Sequence, residues 1–156
     1  MFCLLLRLKK QEEQHIMIGI ILASHGPLAE GLLHTSEWFF QDQKQLEALC
    51  LTPDTSPEMF TERLQDAIGR VDSGDGVLVL CDLLYGSPCS CAAQLLSENV
   101  EMITGMNLGI LLELLGSREN AAPDISALVE TGRNGVVNFK ELLGTQTSET
   151  EEEDFF

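Results

Sequence analysis

Basic residues are scarce in this chain: Lys and Arg number 9 against 25 Asp and Glu in 156 residues, for a formal net charge of -16. A polyanion such as nucleic acid or an anionic bilayer would be repelled, so DNA, RNA and lipid drop out as partners. Long hydrophobic runs are also missing. The apolar stretches are far shorter than the roughly 20 residues a membrane helix needs, although hydrophobic residues make up 44% of the chain and exclude wholesale disorder. The five cysteines, Cys3, Cys50, Cys81, Cys89 and Cys91, include no C-x-x-C pair, so a zinc site or thioredoxin-type motif is not indicated. We read them as reduced, buried thiols in a reducing cytosol, with no metal and no cofactor. No internal repeat and no G-x-S-x-G elbow is present. An export signal is lacking too, because in M-F-C-L-L-L-R-L-K-K the basic residues follow a short apolar stretch instead of preceding a long one.

What is present is one domain. Residues 1–16 read as an N-terminal extension, 17–143 as the domain, and the Thr-, Ser- and Glu-rich stretch 144–156 as an acidic disordered tail. Met17 to Ala23 is continuously apolar and predicts a strand buried on both faces. Pro27 to Phe40 predicts a helix with Leu28, Leu32, Ser36 and Phe39 on its inner face. Leu46 to Leu51 predicts a second strand. Thr55-Ser56-Pro57-Glu58 then opens a helix whose apolar positions Phe60, Leu64, Ala67, Ile68 and Val71 share a face. After the turn Ser73 to Gly76, Val77 to Cys81 predicts a third strand, and Ser87 as cap with Pro88 behind it opens a helix running to about Ser97. Val100 to Gly105 reads as a strand, and Leu108 to Leu115 and Asp124 to Glu130 as helices before a break at Gly132. Such alternation predicts an α/β fold with an open, mostly parallel sheet and helices on both faces.

In open parallel sheets reacting groups gather at the carboxyl ends of strands. Two segments end there: Ser24-His25-Gly26, and Asp82 to Ser87 leading into a helix. Side by side they place a nucleophilic imidazole (His25), a carboxylate able to hold one of its nitrogens (Asp82), a hydroxyl (Ser87) and helix N-terminal amides suited to phosphate. That set suits a phosphohistidine. Taken singly, each residue has a plainer explanation as a surface histidine, a turn-forming Asp or a helix cap. His34 lacks a ligand-type partner at useful spacing, His15 lies in the extension, and Cys89 and Cys91 point to different helix faces, so none receives a role. Ser24 or Ser87 with His25 and Asp82 also has the residue types of a hydrolase triad.

Four segments carry a resemblance to a known family. I-I-L-A-S-H-G-P-L-A-E-G-L at 20–32, D-L-L-Y-G-S-P at 82–88, N-V-E-M-I-T-G-M-N-L at 99–108 and V-E-T-G-R-N-G-V at 129–136 resemble the enzyme IIA domains of mannose/fructose/sorbose-type, phosphoenolpyruvate-dependent sugar phosphotransferase systems. The likeness spans about Met17 to Leu143. It implies that His25 is the phosphorylated residue, Asp82 its orienting carboxylate, and Gly86 and Ser87 part of the phosphate pocket. It implies a phosphotransferase taking phosphate from the small carrier HPr and passing it to a sugar-specific IIB domain, with membrane IIC/IID permease components served indirectly. A purely regulatory phospho-acceptor would carry the same motif. The chain departs from the family pattern at Tyr85, where Gly is frequent, at Cys89-Ser90, where an aromatic-Asn pair is common, and at Gly109, a frequent Pro.

The C-terminal part bears on assembly. Gly135 to Lys140 (G-V-V-N-F-K) favours an extended chain, and in the resembled family the corresponding segment is an exchanged antiparallel edge strand, which implies a homodimer. The competing expectation is one helix from Pro123 through Leu143, weakened by Gly132 and Gly135.

Overall fold

Alternating side chains of a strand point to opposite faces, so a strand with no polar position must be covered on both sides. Ile20 and Leu22 on one side and Ile21 and Ala23 on the other are all fully buried. The computed structural model describes residues 17–119 and 122–144. It runs β1 (Gly19–His25), α1 (Leu28–Ser36), β2 (Leu46–Leu51), α2 (Pro57–Val71), β3 (Val77–Cys81), α3 (Ser87–Ala93), β4 (Val100–Thr104), α4 (Leu108–Ser117) and α5 (Ile125–Asn134). All the strand pairings are parallel, in the order β2-β1-β3-β4.

This order decides where helices lie. The chain leaves β1 in one direction to make β2, then crosses back over β1 to make β3. With right-handed crossovers both ways, the connecting helices must cover opposite faces. They do: α2 and α3 pack with Ile21, Ala23, Val77, Val79 and Cys81, while α1, α4 and α5 pack with Ile20, Leu22, Leu78, Leu80 and Ile103. The strand order reverses between β1 and β3, and a crevice opens outside their carboxyl ends.

Local chemistry starts and stops the elements. Ser56 caps α2 by accepting from the Met59 N–H at 3.3 Å, with Pro57 in the first turn. Asn107 and Asp124 cap α4 and α5 in the same way. Arg118, fully buried at the end of α4, donates to the carbonyls of Ile18, Lys44 and Gln45 and to Gln43 Oε1 at 2.6–3.4 Å. It fastens the last turn of α4 to the segments leading into β1 and β2, a role for which the sequence offered no cue.

Several expectations are corrected. β1 begins at Gly19 and continues through Ser24 and His25, which pair with Cys50 and Leu51 of β2. α1 ends at Ser36, and its inner side is Ala29, Leu32, Leu33 and Ser36, with Phe40 beyond; Leu28 and Phe39 are exposed. α3 ends at Ala93. Gly132 does not break α5, which runs through it to Asn134. A Cβ there would lie 2.6 Å from Ile110 Cγ1, so this glycine lets α5 close onto α4. Gly135 to Lys140 is not a strand within the single chain: Gly135 is a turn, residues 136–138 have no regular structure, and 139–144 are helical. An extended segment needs a second backbone to pair with, and a single chain supplies none here. The expected features of the extension, the acidic tail, Cys3 and His15 lie outside the described residues, apart from Gly144.

Candidate functional site

His25 is the last residue of β1 and Asp82 the first after β3, so adjacent parallel strands deliver both to the crevice. Asp82 Oδ2 accepts from the backbone N–H of His25 at 2.8 Å and lies 2.9 Å from its Nδ1, while Oδ1 accepts from the Leu83 N–H at 2.8 Å. Burial pushes the Asp82 carboxyl up, but the His25 backbone N–H, the imidazole and the Leu83 N–H together outweigh it and hold the group below its ordinary value. Asp82 is therefore ionised near neutral pH and only accepts. The proton in the His25–Asp82 contact belongs to Nδ1, which leaves the lone pair of a neutral imidazole on Nε2.

The loop after Asp82 defines the other wall. Gly86 approaches the ring so closely that a Cβ there would fall 2.6 Å from His25 Cε1, 3.4 Å from Nε2 and 3.1 Å from the Leu83 carbonyl oxygen. Its φ of -68° is ordinary; space, not conformation, demands glycine. Gly26, directly after His25, does need its freedom, with φ +53°. Its N–H still donates to the Leu51 carbonyl of β2 at 2.9 Å, and the left-handed backbone then turns the chain out of the sheet. Gly86→Ala must displace the imidazole from its position against Asp82. We expect any reaction carried by the His25 imidazole to slow by about 10²-fold, since misplacement by about 1 Å carries that cost; rapid-mixing kinetics, with circular dichroism to confirm the fold, check it.

Gly86 is the cap residue of α3, with Ser87 and Pro88 as its first helical residues, so the expected capping role of Ser87 is corrected. No side-chain hydrogen bond caps this helix, and Ser87 is exposed at the crevice. Ser24, the other serine of the triad alternative, is fully buried; its Oγ accepts from the Ala29 N–H at 2.8 Å and donates to the Gly26 carbonyl at 3.0 Å. It anchors the start of α1 behind His25 and is not a nucleophile. Sequence reasoning missed this role, because a bond from a serine to an N–H five residues on lies outside the short-range turn and capping patterns that a serine signals. Among the described residues no serine hydroxyl bonds to the imidazole. The structure thus brings together His25, Asp82 and Gly86, with Ser87 exposed at the next position in the chain, and leaves His34 exposed in the last turn of α1.

Among the described residues no group of three His, Cys, Asp or Glu side chains is placed to hold a metal ion. The described cysteines are free thiols. Cys81, immediately before Asp82, is pushed up to about 12 by burial and by its neighbours Cys89, Asp82 and Cys91. It remains a thiol, donating to Met102 Sδ at 3.6 Å.

Comparison with known proteins gives concordant results. Residues 19–131 match the family model described as PTS system fructose IIA component. The chain is 34% identical over 128 residues to the PTS system mannose-specific EIIAB component of Escherichia coli strain K12, covering 79% of this chain and 40% of that protein. It therefore spans about two fifths of the length of that longer relative. It is 31% identical over 108 residues to the PTS system fructose-specific EIIA component of Bacillus subtilis, covering 68% of this chain and 74% of the relative. Among solved structures, the PTS IIA protein associated with the fucose utilization operon of Streptococcus pneumoniae superimposes with a TM-score of 0.76 at 31% identity, over 82% of this chain and 97% of the other. The four-strand parallel sheet, the two segments meeting at its switch point and these likenesses agree: the chain belongs to the fructose/mannose-type IIA components of the PTS, the sugar phosphotransferase system.

Proposed function

We propose that this protein is a phosphocarrier in which Nε2 of His25 takes the phosphoryl group from phosphohistidine on HPr and yields it to a sugar-specific IIB domain. The observation that carries the reading is the Asp82 Oδ2 to His25 Nδ1 contact at 2.9 Å, which leaves Nε2 with its lone pair facing the crevice. In the forward step a nitrogen–phosphorus bond on the donor breaks as one to Nε2 forms, and the Nδ1 proton stays in its hydrogen bond to Asp82. The transition state is loose, so positioning and charge stabilisation do most of the work. Gly86 fixes the ring's distance from the loop, and we assign the Ser87 hydroxyl and the first amides of α3 as the donors to the phosphoryl oxygens. The imidazolium-like phosphohistidine is stabilised by ionised Asp82.

Incubation with phosphoenolpyruvate, enzyme I and HPr tests this: one acid-labile phosphate per chain is the expected product, and an unmodified mass overturns the reading. No described helix is long and apolar enough to cross a membrane. We place the protein in the cytoplasm, reaching the membrane through the IIC/IID permease.

A homodimer belongs to the same proposal. Among the described residues no strand pairs with the outer edge of β4, and beside it lies a groove of about 480 Å³ lined in part by Thr104, Asn107, Val129, Arg133 and Val136. The adjoining Val136, Val137 and Phe139 are exposed. An open edge beside exposed apolar side chains invites pairing, and a second copy of the chain closes it symmetrically. Light scattering at micromolar concentration should give a dimer for the full chain and a monomer for a truncation ending at Arg133; a monomeric full chain contradicts it.

A further inference from the structure

Tyr85 occupies the left-handed region, with φ +63°, in the loop that joins Asp82 to Gly86. A bulky aromatic residue is disfavoured there, and glycine or asparagine would sit more comfortably. The fold does not recover the cost by burying the ring, because Tyr85 is 87% exposed. Its neighbours Leu83 and Leu84 are exposed as well, and across the crevice so is Leu28, three residues after His25. Four large apolar or aromatic side chains therefore stand in water on the two segments that follow His25 and precede Gly86. Scattered exposed leucines need no explanation, whereas a cluster about a reactive group, one member of which is held in strain, does.

We propose that Tyr85, with Leu83, Leu84 and Leu28 beside it, is the docking contact that this chain presents to the phosphohistidine-bearing protein that donates to His25. The inference rests on the phosphocarrier reading and specifies how that site recognises its donor. Two observations select a protein with a mixed apolar and basic surface. The cluster is continuous with the nucleophile, so a partner whose own histidine approaches Nε2 must cover it. The loops and first helical turns beside the crevice, 26–33, 52–60 and 82–90, contain the exposed acids Glu30, Asp54 and Glu58 and no Lys or Arg, with Glu62 and Arg63 offsetting each other one turn further along α2, so the surface that meets them fits best if it is basic. Tyr85 is the natural anchor, since a rigid aromatic side chain gives large contact area at low entropic cost and is typical of residues that dominate interfaces.

The strain permits a discriminating test. Tyr85→Asn tolerates the left-handed backbone while removing the ring, and Tyr85→Phe keeps the ring. Steady-state transfer from the phosphorylated donor to His25 is measured for wild type and both variants, together with melting temperature. Tyr85→Asn should raise KM for the donor by about tenfold or more with kcat within about twofold, at an unchanged or higher melting temperature, and Tyr85→Phe should behave as wild type. An unchanged KM in Tyr85→Asn, a fall in kcat at constant KM, or a Phe variant as impaired as the Asn variant overturns the docking role. A wild-type chain that takes no phosphate from any phosphohistidine donor overturns the phosphocarrier reading and this inference with it, whereas a phosphorylated wild type with an indifferent Tyr85→Asn overturns the docking role alone.

Discussion

Replacing His25 with alanine should abolish phosphate uptake and leave the fold standing. The ring is 45% exposed and its recorded polar contact is with Asp82. The other link between these residues, the His25 backbone N–H to Asp82 Oδ2 at 2.8 Å, does not involve the side chain and survives the substitution. The pairing of residue 25 with Leu51 and the left-handed turn at Gly26 are likewise backbone features. Stability should fall by about 1–3 kcal/mol, the usual scale for a hydrogen bond to a charged group, while transfer loses the imidazole that we propose carries the phosphoryl group. Mass spectrometry after incubation with the complete phosphorelay, alongside thermal unfolding, checks both halves. A His25→Ala chain that becomes phosphorylated at the wild-type rate rules out the assignment.

The second large effect is expected at Asp82. Unlike the imidazole, this side chain is largely buried, with 11% exposure, and serves three donors at once. Asp82→Ala leaves the amides of His25 and Leu83 without their acceptor, a cost of about 1–3 kcal/mol if water does not replace it, and releases the imidazole to either tautomer. Transfer should slow by about 10²-fold or more. Asp82→Asn separates the two consequences. Its amide oxygen can still accept a backbone N–H, but if its NH2 group faces Nδ1 it favours the tautomer with the proton on Nε2, where the attacking lone pair must be. The Asn variant should therefore be at least as slow as the Ala variant while unfolding closer to the wild type, the pattern known for orienting aspartates in Ser-His-Asp sites. Rapid-quench transfer kinetics and urea unfolding measure the pair; a rate in Asp82→Asn equal to wild type would show that the carboxylate does not set the tautomer.

The parts of the fold visible in the sequence are those whose causes are local. β2, β3 and the start of α2 lie where expected, because a run that is apolar throughout in β3 and apolar but for Glu47 in β2, and a Ser-Pro-Glu start, are decided within a few residues. β1 extends two residues beyond its apolar run because Ser24 and His25 find partners in β2, a contact between segments 26 residues apart in the register that no local pattern reports. Gly132 was misread for a related reason. Within its own helix a glycine only weakens, but the nearness of Ile110 on α4 makes the absence of a side chain useful. The face shared by Leu28, Leu32, Ser36 and Phe39 does not pack as a unit, since Leu28 and Phe39 are exposed while Leu32 and Leu33 meet the core. The site itself was legible as a pair of segments, since strand-end position follows from the parallel alternation. What could not be read was its geometry: which Asp82 oxygen meets which nitrogen, that Gly86 is required by space, and that Ser24 is buried in a structural turn.

The central claim is that Nε2 of His25 carries the phosphoryl group because Asp82 holds Nδ1. Nitrogen and phosphorus NMR of the uniformly 15N-labelled protein, phosphorylated through the relay and kept at alkaline pH, locates the new bond directly. We expect a single phosphohistidine at residue 25 with phosphorus coupled to Nε2 and the proton retained on Nδ1. Phosphorus coupled to Nδ1, or a phosphoryl group on Ser87 or any residue other than His25, would contradict the account.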